Sequence, residues 1–409
     1  MNLQAIYAHR RKALWQSVQS NTGKRSAIII FAALEPLRVP FFQDNTFYYL
    51  TGIQEPGCVL VIDEQGRSHL YVPQTTIDRS VWLVVSNPDD IDQLSGPYVW
   101  HSLGQADNSY SLSWYAQETC YAELIAVLQE YIAQGVQLVG VNRATQLHQN
   151  QREFLHKISN FLKISVESFA DCSDIIGSLR RRKDAHEIEL LRKAIAITAK
   201  AHNDAQHGCR AVGISEAYIK ASLEAVMVAH GATMAFPSIV ATGVNATVLH
   251  YTGASGVLAH GDLVVIDIGA SYQQYAADIT RTYAVSGIRT ARQDELYKSV
   301  LEVQQEIAVR AKPGVWLRNG NYPEQSLQHI AVELFKKHGL DQYFVHGIGH
   351  YLGLDVHDVG SYEEPLQPGD VITIEPGLYL RNEAIGIRIE DNYLITETGI
   401  ECLSAAIPK

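Results

Sequence analysis

Two aspartates in the second half of the chain are the first residues whose types and spacing could do chemistry. Asp267 stands in the run Val-Val-Ile-Asp-Ile-Gly, and Asp278 stands in the run Tyr-Ala-Ala-Asp-Ile-Thr. A symmetric two-residue turn at Tyr272–Gln273 would make them direct cross-strand partners, with Cβ atoms about 4.5–5.5 Å apart. Because two buried carboxylates at that distance repel each other, the pattern predicts a divalent cation between them. The alternative is an irregular turn, with each carboxylate separately solvated or paired with a cationic side chain.

Three histidines lie close together further along the chain. His346, His350 and His357 fall within twelve residues, in the runs His-Gly-Ile-Gly-His and Leu-Asp-Val-His-Asp. The neighbouring glycines allow close approach of the backbone, and histidine is the commonest metal ligand. The cluster therefore indicates a site rather than unrelated core histidines. The glycines miss the spacing of a nucleotide-binding fingerprint, which excludes that interpretation.

Two glutamates complete the set of candidate ligands. Glu375, in Ile-Thr-Ile-Glu-Pro-Gly, and Glu390, in Gly-Ile-Arg-Ile-Glu-Asp, each end an apolar, strand-like run. Either one alone could be a surface charge at a strand end. With the two aspartates and one histidine they form a hard, oxygen-rich set that suits Mn²⁺ or a similar ion. Four negative charges fit two divalent cations, and paired metals can activate a water and polarise a carbonyl, so the set predicts hydrolysis.

The elements that must position these residues fall into two predicted domains. Up to about residue 170, short β-rich runs alternate with helical stretches, which predicts a smaller N-terminal α/β domain over 1–172. Asp184 and Glu187 have the spacing of a capping box that opens a long helix. Over 173–409, helices mix with strands, which predicts an α+β domain. The strand-like runs there are 263–268, 279–285, 371–374 and 387–395.

Composition excludes several classes of protein. The chain has 409 residues, of which 46% are hydrophobic and 19% charged, which is typical of a folded protein of two or three domains. An excess of 44 acidic over 33 basic residues gives a net charge of −11, which disfavours nucleic acid as a partner. The five cysteines form no Cys-x-x-Cys pair, and the longest strongly apolar run, 27–34, is too short to cross a membrane. We therefore expect a cytoplasmic protein.

Several motifs, in this order and spacing, resemble those of the proline-specific metallopeptidases of the pita-bread fold. Bacterial Xaa-Pro aminopeptidase (aminopeptidase P) is the nearest type, and Xaa-Pro dipeptidase (prolidase) is the next. The motifs are His250-Tyr-Thr, Asp267, Asp278-Ile-Thr-Arg-Thr, His346-Gly-Ile-Gly-His, Leu354-Asp-Val-His-Asp-Val-Gly, Glu375-Pro-Gly and Arg388-Ile-Glu-Asp. The run 43–52 also looks like the family's N-terminal domain. The resemblance implies a pita-bread catalytic domain over 173–409, preceded by a smaller domain that serves oligomerisation or borders the substrate site.

The resemblance also implies a role for each metal ligand. Asp267 is similar to the aspartate that chelates one metal, and Asp278 and Glu390 are similar to the carboxylates that bridge both. His350 and Glu375 match the ligands that complete the other metal. Glu375 also resembles the carboxylate that takes the proton of the attacking water. The implied cofactors are two divalent ions, Mn²⁺ first, with Zn²⁺, Co²⁺ and Fe²⁺ as the other candidates.

Four further residues match positions around the substrate. His250 and His357 are similar to the histidines that hold the scissile carbonyl and its tetrahedral intermediate. His346 looks like a substrate-site residue. Arg388 resembles an arginine that supports the bridging glutamate, and the alternative for it is a surface charge on a strand.

Two departures from the family pattern border the substrate site. Some aminopeptidase P sequences have serine where Gly349 stands, and the segment Tyr379–Gly386 is shorter than in several relatives. Arg381, in that segment, is a candidate for binding the carboxylate of a dipeptide. Family members are commonly dimers or tetramers, and in some an N-terminal-domain residue of one subunit reaches a neighbour's site, for which Trp82 is a candidate here.

The sequence thus predicts a hydrolase that removes the N-terminal residue from peptides with proline in second position. The alternative within the class is a prolidase restricted to dipeptides. A third possibility is a pita-bread binding protein that has kept the fold and lost catalysis, which the complete ligand set argues against. We expect a peptide substrate, no nucleic-acid or membrane partner, and a homo-oligomer, either a dimer or a tetramer.

Overall fold

A computed structural model describes residues 2–35, 40–75, 88–107, 117–209 and 211–409. The chain divides into two compact units, Met1–Arg180 and Arg181–Lys409. The sequence-based domain boundary between residues 172 and 173 stays a prediction. Trp82 lies outside the described residues.

The first unit is built around a mixed six-stranded sheet with the strand order β4-β3-β2-β1-β5-β6. Its central strand β1 is buried along its whole length, and pairs antiparallel with β2 and parallel with β5. The strands are β1 (Ser26–Phe31), β2 (Val59–Ile62), β3 (Ser68–Thr75), β4 (Val99–Asp107), β5 (Gln137–Gly140) and β6 (Ala170–Asp171). The helices that begin in this unit are α1 (Leu3–Thr22), α2 (Asn45–Thr51), α3 (Pro88–Ser95), α4 (Ala122–Ala133), α5 (Gln149–Leu162) and α6 (Ser173–Arg181).

The second unit combines four helices with small antiparallel sheets in its described residues. Three sheets have the strand orders β11-β10-β7, β12-β9-β8 and β13-β16-β17, and β14 pairs with β15. The helices are α7 (Ala185–Gly208), α8 (Glu216–Ala229), α9 (Ala291–Arg310) and α10 (Leu327–Lys336). The strands are β7 (Thr233–Met234), β8 (Ile239–Thr242), β9 (Leu263–Ile268), β10 (Ala270–Tyr272), β11 (Tyr275–Ala276), β12 (Ile279–Ala284), β13 (Val371–Ile374), β14 (Gly377–Leu380), β15 (Ile385–Arg388), β16 (Asp391–Ile395) and β17 (Ile400–Cys402). This mixture confirms the α+β prediction.

Helix α7 begins at the predicted capping box. The Asp184 carboxylate accepts hydrogen bonds from the backbone N–H groups of His186 and Glu187, at 2.9 and 3.0 Å. The Glu187 carboxylate accepts in return from the Asp184 N–H at 3.0 Å. These contacts satisfy N–H groups that the first turn of a helix leaves without a partner.

The register of the hairpin that carries the two aspartates differs from the prediction. Asp267 on β9 lies opposite Thr280 on β12, and the tip pair is Tyr272 and Tyr275. The turn is therefore at Gln273–Gln274, one residue later than predicted, and direct pairing of Asp267 with Asp278 was wrong. The reason is that both glutamines adopt positive φ, 48° and 64°, as a type I′ turn requires.

The predicted strand 387–395 is two strands in the structure. Strand β15 ends at Arg388 and β16 begins at Asp391. The backbone N–H of Glu390, in the break, donates to the carbonyl of Thr280 on β12 at 3.1 Å. The break thus ties Glu390 to the strand that follows Asp278.

Candidate active site

The nine residues that the sequence analysis assigned to metal binding or to the substrate site all line one cavity in the second unit. Its volume is about 650 Å³. The nine residues are His250, Asp267, Asp278, His346, His350, His357, Glu375, Arg388 and Glu390. Five of them lie at or next to strand ends, namely Asp267, Asp278, Glu375, Arg388 and Glu390. The antiparallel sheets thus bring together residues that are more than a hundred positions apart.

The two aspartates face the cavity from the same side of their hairpin. The observed register places Asp267 opposite Thr280, and Asp278, immediately before β12, lies two positions before Thr280. Because side chains alternate with a period of two, this diagonal arrangement keeps both carboxylates on one face. Burial, with the charges of Asp267 and Glu375, raises the pKa of Asp278 well above its usual value.

Three of the candidate ligands already converge on one point. Asp278, His350 and Glu390 each place a ligand atom within 4.8 Å of the other two. His350 Nε2 lies 3.3 Å from Asp278 Oδ2 and 3.6 Å from Glu375 Oε1. His350 Nδ1 donates to the Tyr351 carbonyl at 3.0 Å, which leaves the Nε2 lone pair directed towards the carboxylates.

The carboxylates lack the partners that buried charges need. Among the described residues, Asp267 Oδ1 and Glu390 Oε1 are buried and have no hydrogen-bond partner. Arg388 Nη2 donates to the other oxygen of Asp267 at 2.6 Å. One guanidinium cannot balance four carboxylates, and burial together with the nearby acids raises the pKa of Glu390 well above its usual value. Two or more unsatisfied, buried carboxylate oxygens beside an imidazole fit divalent cations.

Several neighbouring residues that hold the ligands were missed in the sequence. The Thr280 hydroxyl donates to Glu390 Oε2 at 2.6 Å, and Arg388 Nε donates to Thr280 Oγ1 at 3.1 Å. The backbone N–H of His350 donates to the Thr373 hydroxyl at 3.0 Å. Thr280 and Thr373 each stand two positions from a candidate ligand, Asp278 and Glu375. Because side chains two positions apart on a strand share a face, examining the residues two positions before and after each candidate ligand could have found both threonines.

Tyr379 connects the carboxylate cluster to His346. Arg388 Nη1 donates to the Tyr379 hydroxyl at 2.8 Å, and that hydroxyl donates to His346 Nε2 at 2.9 Å. His346 Nδ1 donates to the Gly347 carbonyl at 2.8 Å, which fixes the tautomer. Burial, with the charge of Arg388, lowers the pKa of His346 to about 4, so its imidazole is neutral at pH 7.

The remaining two histidines, His250 and His357, line the cavity, and both are solvent-exposed. The His357 ring lies 4.1 Å from the His350 ring, centroid to centroid. Burial, with the charges of the neighbouring histidines, lowers the pKa of His357 to about 4. A neutral imidazole can donate a hydrogen bond from one nitrogen, which suits a substrate carbonyl.

The two departures from the family pattern have different structural contexts. A Cβ added to Gly349 would lie 2.0 Å from the Thr373 carbonyl oxygen, so serine at this position requires β13 to move. The segment Tyr379–Gly386 is part of the β14–β15 hairpin, whose tip is the turn Arg381–Glu383. Arg381 is exposed there and is not one of the residues that line the cavity.

Known proteins resemble this chain over both units. The model of metallopeptidase family M24 matches residues 189–397, and that of the aminopeptidase P N-terminal domain matches residues 7–92. Xaa-Pro aminopeptidase of Escherichia coli is 33% identical over 98% of this chain and 95% of its own length. Xaa-Pro dipeptidase of Pyrococcus furiosus is 39% identical, but over 60% of this chain and 70% of its own length.

The solved structure of aminopeptidase P from E. coli superposes with a TM-score of 0.81 and 30% identity, covering 99% of this chain and 96% of that one. These matches confirm the predicted architecture, a C-terminal pita-bread domain with a smaller N-terminal domain. The chain belongs to metallopeptidase family M24.

Proposed function

We propose that this protein is a dinuclear-metal hydrolase that releases the N-terminal residue from peptides with proline in second position. The observation that carries the proposal is the set of three buried carboxylates, the half-buried Glu375 and one buried histidine, in which two carboxylate oxygens have no partner among the described residues. The full-length match to proteins named Xaa-Pro aminopeptidase supports the same activity.

Five residues hold the metals in this proposal. By the family resemblance, Asp267 would bind one ion, Asp278 and Glu390 would be shared by both ions, and His350 and Glu375 would complete the second site. Mn²⁺ is our first choice because the donor set is mostly carboxylate, with Zn²⁺, Co²⁺ and Fe²⁺ as the other candidates. Bound divalent ions supply an activated water and polarise the scissile carbonyl.

The other cavity residues act on the peptide. Glu375 accepts the proton of the attacking water and delivers it towards the leaving amine. His250 and His357 donate hydrogen bonds to the peptide carbonyls, and His357 also holds the tetrahedral intermediate. His346, kept neutral and fixed by Tyr379, forms part of the wall that contacts the proline. Arg388 holds Asp267 in place.

Prolidase activity is the second candidate. The match to a protein named Xaa-Pro dipeptidase favours it, although that match covers 60% of this chain. A binding protein that has lost catalysis is the weakest candidate, since every ligand position carries a side chain that can bind a metal. We further propose a cytoplasmic location and a homo-oligomer, a dimer or a tetramer. In the described ranges, helices long and apolar enough to span a membrane are absent.

The test is a turnover assay with a dipeptide Xaa-Pro and a tripeptide Xaa-Pro-Xaa, with and without Mn²⁺, and with the matching Xaa-Ala-Xaa as control. We expect metal-dependent release of the first residue from the proline peptides, with kcat/KM for the tripeptide at least comparable to that for the dipeptide. Elemental analysis at saturation should find about two ions per chain.

Three results would contradict the proposal in different ways. Turnover of dipeptides alone, lost selectively in Arg381→Ala, would make the protein a prolidase. One tightly bound ion or none, under saturating Mn²⁺, would remove the dinuclear site. Binding of proline peptides without any hydrolysis would favour the binding protein.

A further inference from the structure

A second arginine reaches the cavity from a loop that none of the metal ligands occupies. Arg318 lines the cavity, and it belongs to the connection between α9, which ends at Arg310, and α10, which begins at Leu327. Both neighbours of Arg318 anchor this loop. Leu317 is buried in the hydrophobic core, and the N–H of the buried Asn319 donates to Ser326 Oγ at 3.1 Å.

The Arg318 guanidinium lies directly against the histidine motif. A Cβ added to Gly347 would come within 2.5 Å of Arg318 Nη2, so the end of the guanidinium lies against the backbone of Gly347. Gly347 follows His346, the residue proposed to contact the proline. Arg318 is solvent-exposed and lies beside the position proposed for the proline.

One face of the guanidinium is already in use. Its central carbon lies 5.2 Å from the centroid of the Tyr362 ring, which also lines the cavity. This cation–π contact orients the planar group and leaves its N–H edge for other partners.

The N–H edge has no protein partner. Within the described parts of the chain, Arg318 makes neither a hydrogen bond nor an ion pair, whereas Arg388 in the same cavity binds Asp267, Thr280 and Tyr379. An arginine that lies in a cavity rich in carboxylates but pairs with none of them is available to a ligand. The planar fork of donors matches a carboxylate, which it can bind through two parallel hydrogen bonds.

We propose that Arg318 is a specificity-determining residue that binds the C-terminal carboxylate of short peptide substrates. This inference rests on the proposed function, because it places the proline next to His346 and directs the rest of the peptide along Gly347 to Arg318. A free peptide ends in a carboxylate, and Arg318 offers a cation to that carboxylate beside the proposed proline position. The enzyme then prefers peptides that end in a free carboxylate over longer or amidated ones.

The experiment compares free acids with their C-terminal amides. The kcat/KM of Gly-Pro, Gly-Pro-Gly and both amides is measured on the Mn²⁺-loaded wild type and on Arg318→Ala and Arg318→Lys. For the wild type we expect kcat/KM of the free acid to exceed that of its amide by about ten- to a hundred-fold, for the dipeptide, the tripeptide or both. A change of this size is typical of one charge-assisted hydrogen bond. Arg318→Ala should bring that ratio to about one by lowering kcat/KM for the acid alone. Arg318→Lys, which keeps the charge without the fork, should give an intermediate ratio.

A control separates this role from a general effect of charge. Lys312→Ala removes an exposed cation from the same loop and should retain the wild-type ratio. A wild-type ratio near one for both lengths would overturn the inference. An equal loss of kcat/KM for acid and amide in Arg318→Ala would also overturn it. So would an acid-to-amide ratio that falls in Arg381→Ala and not in Arg318→Ala.

A binding measurement makes the inference independent of turnover. Calorimetry compares Pro-Gly with Pro-Gly amide on the Mn²⁺-loaded wild type and on Arg318→Ala. If Arg318→Ala binds acid and amide equally while the wild type prefers the acid, the role of Arg318 is supported. This holds even if no peptide is hydrolysed, a result that would refute the proposed function but not the role of Arg318. Equal affinity of acid and amide for the wild type would refute the role of Arg318 and leave the peptidase function standing.

Discussion

Glu390 and Asp391 follow one another in the chain and are both buried, with 2% and 0% of their surface exposed, yet their surroundings are opposite. Glu390 faces the cavity, where one of its oxygens has no partner among the described residues. Asp391 faces away from it and accepts hydrogen bonds at both oxygens. Its Oδ1 is bound by Arg281 at 2.7 Å and its Oδ2 by Lys409 at 2.8 Å.

For this reason the pKa values of the two carboxyl groups are shifted in opposite directions. Burial alone would raise the pKa of Asp391, but the charges of Arg281 and Lys409 lower it below its usual value. At Glu390, burial and the neighbouring acids act together, and the pKa rises. The fold therefore pairs the buried Asp391 carboxylate with two cations and leaves one oxygen of Glu390 without a partner among the described residues. A buried carboxylate that has a raised pKa and an unpaired oxygen therefore indicates a functional site.

Glu390→Gln is the strongest test of this contrast. The change keeps the shape of a proposed bridging ligand but removes its charge, so metal occupancy and activity should fall together, with activity reduced by more than ~10³-fold. In the metal-free protein the same change removes an unfavourable charge, so the free energy of unfolding should stay the same or rise. Metal analysis, turnover and denaturant unfolding measure the three quantities. A metal-free Glu390→Gln protein that is much less stable than wild type would show that Glu390 is already compensated.

Asp391→Asn should have the converse effect. It leaves the buried Arg281 without its carboxylate, which should cost about 3–5 kcal/mol of unfolding free energy. The control is Glu306→Gln, which breaks an exposed pair with Arg310 and should cost less than about 1 kcal/mol. Denaturant unfolding of the metal-free proteins compares them. Equal effects of the two variants would mean that Asp391 is not a structural charge.

His357→Ala tests a cavity residue that is proposed to contact the substrate and not a metal. Without its donor to the intermediate, kcat should fall by ~10²–10³-fold while about two metals stay bound. His338→Ala, which removes an exposed histidine at the end of α10, should leave kcat unchanged. Loss of metal from His357→Ala would make His357 a ligand and refute the assignment.

Thr280→Val should have the smallest effect of these variants, a weakening of metal affinity. It removes the hydroxyl that donates to Glu390, and loss of such a supporting hydrogen bond typically weakens metal affinity about ten- to a hundred-fold. Thr282→Val is a matched control on the same strand, because its hydroxyl donates to the Arg388 carbonyl at 2.9 Å and not to a ligand. Both variants should lose a similar amount of stability, and Thr280→Val alone should bind Mn²⁺ more weakly in a titration. Equal metal affinities would contradict a supporting role for Thr280.

Residue type and spacing indicated the four acids and three of the histidines, whereas His250 was identified only through the family resemblance. Carboxylates such as Asp267, near the end of an apolar strand, are costly to bury unpaired, but each one alone left a surface charge as the alternative. The hairpin register was not predictable, since Gln273 and Gln274 lack the glycine or asparagine that marks a type I′ turn. Arg318 was missed because it follows a helix and precedes the histidine motif by 28 positions, and only tertiary packing brings it to Gly347.

The turn at Gln273–Gln274 also determines which changes of chain length the hairpin can tolerate. Strand side chains alternate between faces with a period of two, so loss or gain of one residue between Asp267 and Asp278 would turn one carboxylate away from the other. Loss or gain of two residues would preserve their common face and move the tip instead. We therefore expect natural relatives to differ in this loop by even numbers of residues, and libraries of loop variants to lose metal binding at odd ones.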